Sequence, residues 1–170
     1  MPEATVSTKS ESDNSLYAGA IATAVVGLLP YVNVFILPAY VIGGFVAVRY
    51  ATQARGRSLL FKDAAKLGFL STFLGTLCAV LLVDLIWLFS DYQLWQKQNA
   101  DLMLAIFGSF MSSVAMDAMR DAFAQQAVKP FQWYIFLMQV AVNAFFCGVF
   151  GTLSGVIAVK IFRPRSASAN

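Results

Sequence analysis

Three runs almost free of charge constrain this chain more than any other feature. Residues 16–48 carry no charge, 67–90 carry only Asp84, and 131–162 carry only Lys160. A membrane crossing takes about 20 apolar residues to traverse about 30 Å of hydrocarbon, so each run is long enough to cross. Over the whole chain 59% of residues are hydrophobic and 12% charged. A soluble domain has roughly 45–50% apolar and 25% charged residues. A water-soluble chain this short has too little interior to hide that much apolar surface. Lipid is the expected solvent, and in lipid each backbone group must be bonded within its own segment. The expected fold class is therefore all-α: a polytopic transmembrane helical bundle.

The first run would be about 50 Å long as one helix, more than one straight span can use. Pro30 and Pro38 interrupt it, and a residue preceding proline is pushed away from helical backbone. The preferred reading is a hairpin, with helices at 16–29 and 34–53 around a turn at 30–33. Pro38 then falls in the first turns of the second helix, where its missing N–H costs least. One kinked helix is the competing reading. The remaining helices are expected at 59–90, 101–128 and 131–162. The hairpin gives four spans and the kinked helix three. The polar stretch 1–15, with Glu3, Glu11 and Asp13 against Lys9, reads as a disordered tail rather than a secretory signal, which would open with basic residues. Residues 164–170 read as a short cytoplasmic tail that follows a single helical domain at 16–163.

Charge sets the orientation. Arg49, Arg55, Arg57, Lys62 and Lys66 face a single acid, Asp63, in the segment 49–66, and Lys160, Arg163 and Arg165 cluster near the C-terminus. Basic short loops stay on the cytoplasmic side, so both segments are expected there, separated by two spans. Residues 91–130 are slightly acidic and belong outside. Within them Met103, Leu104, Phe107, Phe110, Met111, Val114 and Ala118 share one side of a helical wheel, and Ser109, Ser113, Asp117 and Arg120 the other. Leu102 and Ile106 depart from the pattern. This reads as an amphipathic helix on the outer membrane surface or against its own bundle. Trp87 and Tyr92 near one span's outer end, and Trp133 and Tyr134 at another's, suit the interface.

Few residues could carry chemistry. The chain has no histidine, the commonest general base and transition-metal ligand. Cys78 and Cys147 lie in apolar runs without metal-ligand or disulfide spacing. No nucleophile, phosphate-loop or dinucleotide motif is present, and no basic face of the nucleic-acid-binding kind. No enzyme activity, cofactor, metal or nucleic-acid partner is expected. Ser112 and Ser113 with Asp117 and Arg120 read as a solvated helix face. Asp84 is the exception: a carboxylate within a span is costly and usually meets a partner or water. The expected site is Asp84 hydrogen-bonded to Gln139 or Asn143. A protonated acid, an ion site and snorkelling outward are the alternatives. Gly43, Gly44, Gly68, Gly75, Gly148, Gly151 and Gly155 are expected to let helices approach closely.

Between 16 and 75, Pro30-Tyr31-Val32-Asn33, then Gly43-Gly44, then Asp63-Ala64-Ala65-Lys66-Leu67-Gly68 follow in order. This resembles a family of small uncharacterised bacterial inner-membrane proteins with a Pro-x-x-Asn turn and a Gly-Gly helix. The resemblance implies an inner-membrane bundle. Cysteines often flank that turn in such proteins. Here Val34 and Phe35 stand there, which leaves no metal role. The expected function is a non-enzymatic interaction or structural bundle, with the bilayer and a second copy or a larger membrane protein as partners. The alternative is a small transporter or channel subunit that uses Asp84.

Overall fold

The computed structural model describes residues 4–29, 37–55, 59–90 and 93–162. Among them every regular element is helical: α1 (Ala4–Leu28), α2 (Leu37–Arg55), α3 (Phe61–Ser90), α4 (Leu94–Phe107), α5 (Ser113–Ala127) and α6 (Trp133–Ile161). A single π-helical turn, Cys147–Gly151, interrupts α6.

Helices α1, α2, α3 and α6 form the bundle. Gly19 of α1 lies against Gly43 and Ala47 of α2, and Thr23 against Gly43, so this pair runs antiparallel. Gly19 also meets Ser71, and Gly27 faces Ala79, so α1 and α3 run parallel. Gly68 packs on Gly151 and Gly155, while Trp87 reaches Lys129, so α3 and α6 run antiparallel. The end of α2, the start of α3 and the end of α6 therefore share one end of the bundle. Val48, Ala51, Leu59, Ala64, Ala158 and Val159 form an apolar cluster there. The Arg49 guanidinium lies 5.8 Å from the Phe162 ring centroid, a cation–π distance.

Small residues make up most of the interior of this bundle, with Tyr40, Val48, Val80 and Trp87 the largest side chains fully buried there. On α3 the buried positions include Ala64, Gly68, Ser71, Thr72, Gly75, Thr76 and Ala79. The large apolar residues of the same helix, among them Leu70, Leu81, Leu82, Leu85 and Ile86, point outward, and Phe89 is 84% exposed. Close approach is the reason. A Cβ at Gly155 would strike the Ala64 carbonyl oxygen, and one at Gly75 the Ala20 carbonyl oxygen, neither of which can rotate away. Two of the buried hydroxyls are satisfied locally, Thr23 donating to the Gly19 carbonyl (2.9 Å) and Thr72 to that of Gly68 (2.8 Å), whereas the buried Thr52 Oγ1 has no partner among the described residues.

Three expectations need correction. The stretch 1–15 is not a disordered tail throughout, because α1 begins at Ala4; no glycine or proline interrupts 4–15, so the helix seeded by the apolar half continues into polar sequence. The helix expected at 101–128 is two helices. α4 passes through the 3-10 turn Gly108–Phe110 to Met111, whose backbone is extended (φ −107°, ψ 151°). Ser112 then caps α5, its hydroxyl accepting the Ala115 N–H at 3.3 Å. Trp87, expected at the outer end of its span, is covered by protein rather than exposed on the surface: its Nε1 donates to the Lys129 carbonyl at 2.7 Å, and its ring meets Phe131 edge-on at 4.9 Å. The expected turn at 30–33, Tyr92 and the tail at 164–170 lie outside the described residues.

Candidate functional site

Gln139 and Asn143 sit on α6 before the π turn, and Tyr40 sits on α2 beside them. Tyr40 is fully buried. Its hydroxyl donates to Asn143 Oδ1 at 2.6 Å, and Asn143 Nδ2 donates to the Gln139 carbonyl at 2.8 Å. This chain ties α2 to α6. Ser154 Oγ, beyond the π turn of α6, donates to the Gly151 carbonyl at 2.9 Å and lies 3.4 Å from the Tyr40 carbonyl. On α3, Thr76 Oγ1 accepts from the buried Cys147 thiol at 3.8 Å.

Asp84 does not join this network. It is 6% exposed, and its Oδ2 has no hydrogen-bond partner among the described residues. The same holds for Gln139 Oε1. Both lie at one height in the bundle: from the Thr76–Cys147 contact, Asp84 is eight residues along α3 (76 to 84) and Gln139 eight residues back along α6 (147 to 139). The expected bond from Asp84 to Gln139 or Asn143 is replaced by the Tyr40–Asn143 bond. Tyr40 was legible only as a hydroxyl stranded in an apolar run, a group that needs a partner when buried.

A buried oxygen left without a donor costs about 1–3 kcal/mol. A carboxylate oxygen and an amide carbonyl at one level are groups that a proton, a water molecule or a small cation would satisfy. Between α3 and α6, a cavity of about 10 Å³ is lined by Thr76, Val80, Val140 and Asn143, among others. That is about the minimum for one water. No cluster of three or more His, Cys, Asp or Glu occurs among the described residues.

No protein-family model, curated protein or solved structure matches the chain. Function therefore rests on the geometry.

Of the packing glycines, Gly43, Gly44, Gly68, Gly75, Gly151 and Gly155 each lie where a Cβ would overlap a neighbouring helix. Gly148 does not: it is exposed, and a Cβ there would meet nothing within 4 Å. The π turn is the cause. Its wider winding carries Cys147 and Gly151 inward and leaves Gly148 outside. Gly19, pressed against Gly43 and Ser71, belongs to the set and was not singled out in the sequence.

Proposed function

We propose that the chain is an integral membrane bundle of four spans that works by association with itself or a larger membrane protein, without chemistry of its own. The observation that carries this reading is the inverted distribution of side chains. Glycine, alanine, serine and threonine make up most of the inside, with Tyr40, Val48, Val80 and Trp87 as the large exceptions, and leucine, isoleucine and phenylalanine cover much of the outside. α3 (30 residues) and α6 (29 residues) are each long and apolar enough to cross a membrane. Only 44% of the most apolar window of α3 and 22% of that of α6 is buried, unlike the mostly buried core helix of a soluble protein. Water would be a poor solvent for such a surface, at about 25 cal/mol for each Å² of apolar area. The apolar half of α1, Asn14–Leu28, is shorter, and α2 has 19 residues. Packed against α3, they complete the four spans. The basic end then faces the cytoplasm, and the resemblance to bacterial inner-membrane proteins makes that membrane the proposed location.

A second reading, a small transporter or channel subunit, is favoured by one observation, the unpartnered oxygens of Asp84 and Gln139. Proton and cation flux into liposomes, measured for wild type and Asp84→Asn with oligomeric state determined in the same preparation, separates the two. The bundle reading expects a defined oligomer or complex and no flux from either protein. Flux in wild type that disappears in the Asn variant would replace it with the transport reading.

A further inference from the structure

At the basic end, α1, α2 and α3 enclose a cleft of about 330 Å³. This is near the lower limit of small-molecule sites, about 300–1,000 Å³. Arg55 at the end of α2 and Lys66 on the second turn of α3 line it, together with Asp63 of α3 and the buried Ser15 of α1. Leu67 and Leu70, on the same face of α3 as Lys66, also line it. Leu70 is exposed and begins the outward apolar face of α3 that continues to Leu81 and Leu82.

Among the described residues neither Arg55 nor Lys66 makes a salt bridge, even though Asp63 is three residues before Lys66 on one helix. An arginine fork and a lysine point charge converging on one cleft suit a phosphate oxygen set. The apolar wall that leads from them along α3 suits an acyl chain. Basic pockets between spans on the cytoplasmic side are where anionic headgroups bind.

We propose that this cleft binds the phosphate of an anionic phospholipid, with Arg55 and Lys66 holding the headgroup and Leu67 and Leu70 the start of an acyl chain. Asp63 opposes the anion and weakens the site. The lipid as occupant rests on the membrane reading, whereas an anion site at Arg55 and Lys66 does not. The same chemistry would accept free inorganic phosphate.

The test titrates the full chain in neutral detergent with phosphatidylglycerol, phosphatidylcholine and, separately, inorganic phosphate, with bound ligand read by native mass spectrometry. Phosphatidylglycerol is expected to bind in preference to phosphatidylcholine. Arg55→Gln and Lys66→Gln are each expected to weaken it about fivefold, the effect of one basic residue at an anionic surface. Asp63→Asn is expected to strengthen it. Lys160→Gln, at the same end of the bundle but outside the cleft, is expected to change it less than either. Unchanged helicity and elution for each variant exclude unfolding as the cause of a loss. Inorganic phosphate binding with the same variant sensitivity, without phosphatidylglycerol binding, would keep the anion site and overturn the lipid as occupant. Equal losses for Lys160→Gln and the cleft variants would mean diffuse surface attraction and overturn the site. So would binding that does not distinguish the two lipids.

Discussion

Gly155 and Gly148 are seven positions apart on one helix and are expected to respond oppositely to the same substitution. Gly155→Leu forces a side chain into the Ala64 carbonyl, and overpacking of this kind costs about 1–3 kcal/mol. Gly148→Leu adds an apolar group to an open surface and is expected to change stability by less than about 0.5 kcal/mol. Unfolding in mixed micelles measures both, and equal losses would remove the distinction. Tyr40→Phe leaves Asn143 Oδ1 without its donor, a loss of about 1–2 kcal/mol by the scale of hydrogen bonds between membrane helices. Because the amide is the group left stranded, the pair Tyr40→Phe and Asn143→Leu is expected to lose less than the sum of the single changes; strict additivity would show that the two do not interact. Asp84→Asn removes a carboxylate that no donor satisfies, so stability in the same assay is expected to hold or rise. A clear fall would mean that the carboxylate has a partner in the bundle.

The elements differ in how readily the sequence discloses them. The helix read at 131–162 runs from Trp133 to Ile161, and the one read at 59–90 runs from Phe61 to Ser90. An unbroken apolar run bounded by proline or charge leaves little choice. The break between α4 and α5 was hidden because the apolar period continues through Phe107, Phe110, Met111 and Val114 while the backbone turns. Its one local signal was Ser112 before Ser113, which read as a polar face and serves as a cap. Ser112→Ala is expected to destabilise α5 by about 1 kcal/mol. Hydrogen exchange at the amides of Ala115 and Met116 would report it, and unchanged protection there would contradict the capping role. The π turn leaves no mark in hydrophobic periodicity, which is why Gly148 was grouped with its neighbours. The Tyr40–Asn143 bond was equally hidden, since it joins residues 103 positions apart and depends on how α2 and α6 are set against each other.

For the molecule as a whole, α4 and α5 pack mainly on each other, and several apolar residues of this segment are exposed. Phe110 is 86% exposed and Val114 77%. Trp133 and Tyr134, also exposed, lie at the neighbouring end of α6. This arrangement suits a hairpin laid on the membrane surface, where aromatic and aliphatic side chains enter the headgroup boundary. A tryptophan placed at position 110 (Phe110→Trp) is expected to fluoresce to the blue and to be quenched by brominated lipid. Emission typical of water and insensitive to bromine would put the hairpin off the membrane. The basic end, with Arg49, Arg55, Lys62, Lys66 and Lys160, is opposite, which gives the bundle one basic pole and one that is aromatic and slightly acidic.

In a membrane bundle the outward leucines of α3 and α6 face lipid. Nitroxide labels at Leu82 and Leu153, introduced as single cysteines after Cys78→Ala and Cys147→Ala, test this in liposomes through collision with oxygen and with a water-soluble nickel chelate. High oxygen and low nickel accessibility at both positions is the predicted result. Nickel accessibility equal to that of a label at the exposed Lys62 would place those faces in water and contradict the membrane bundle.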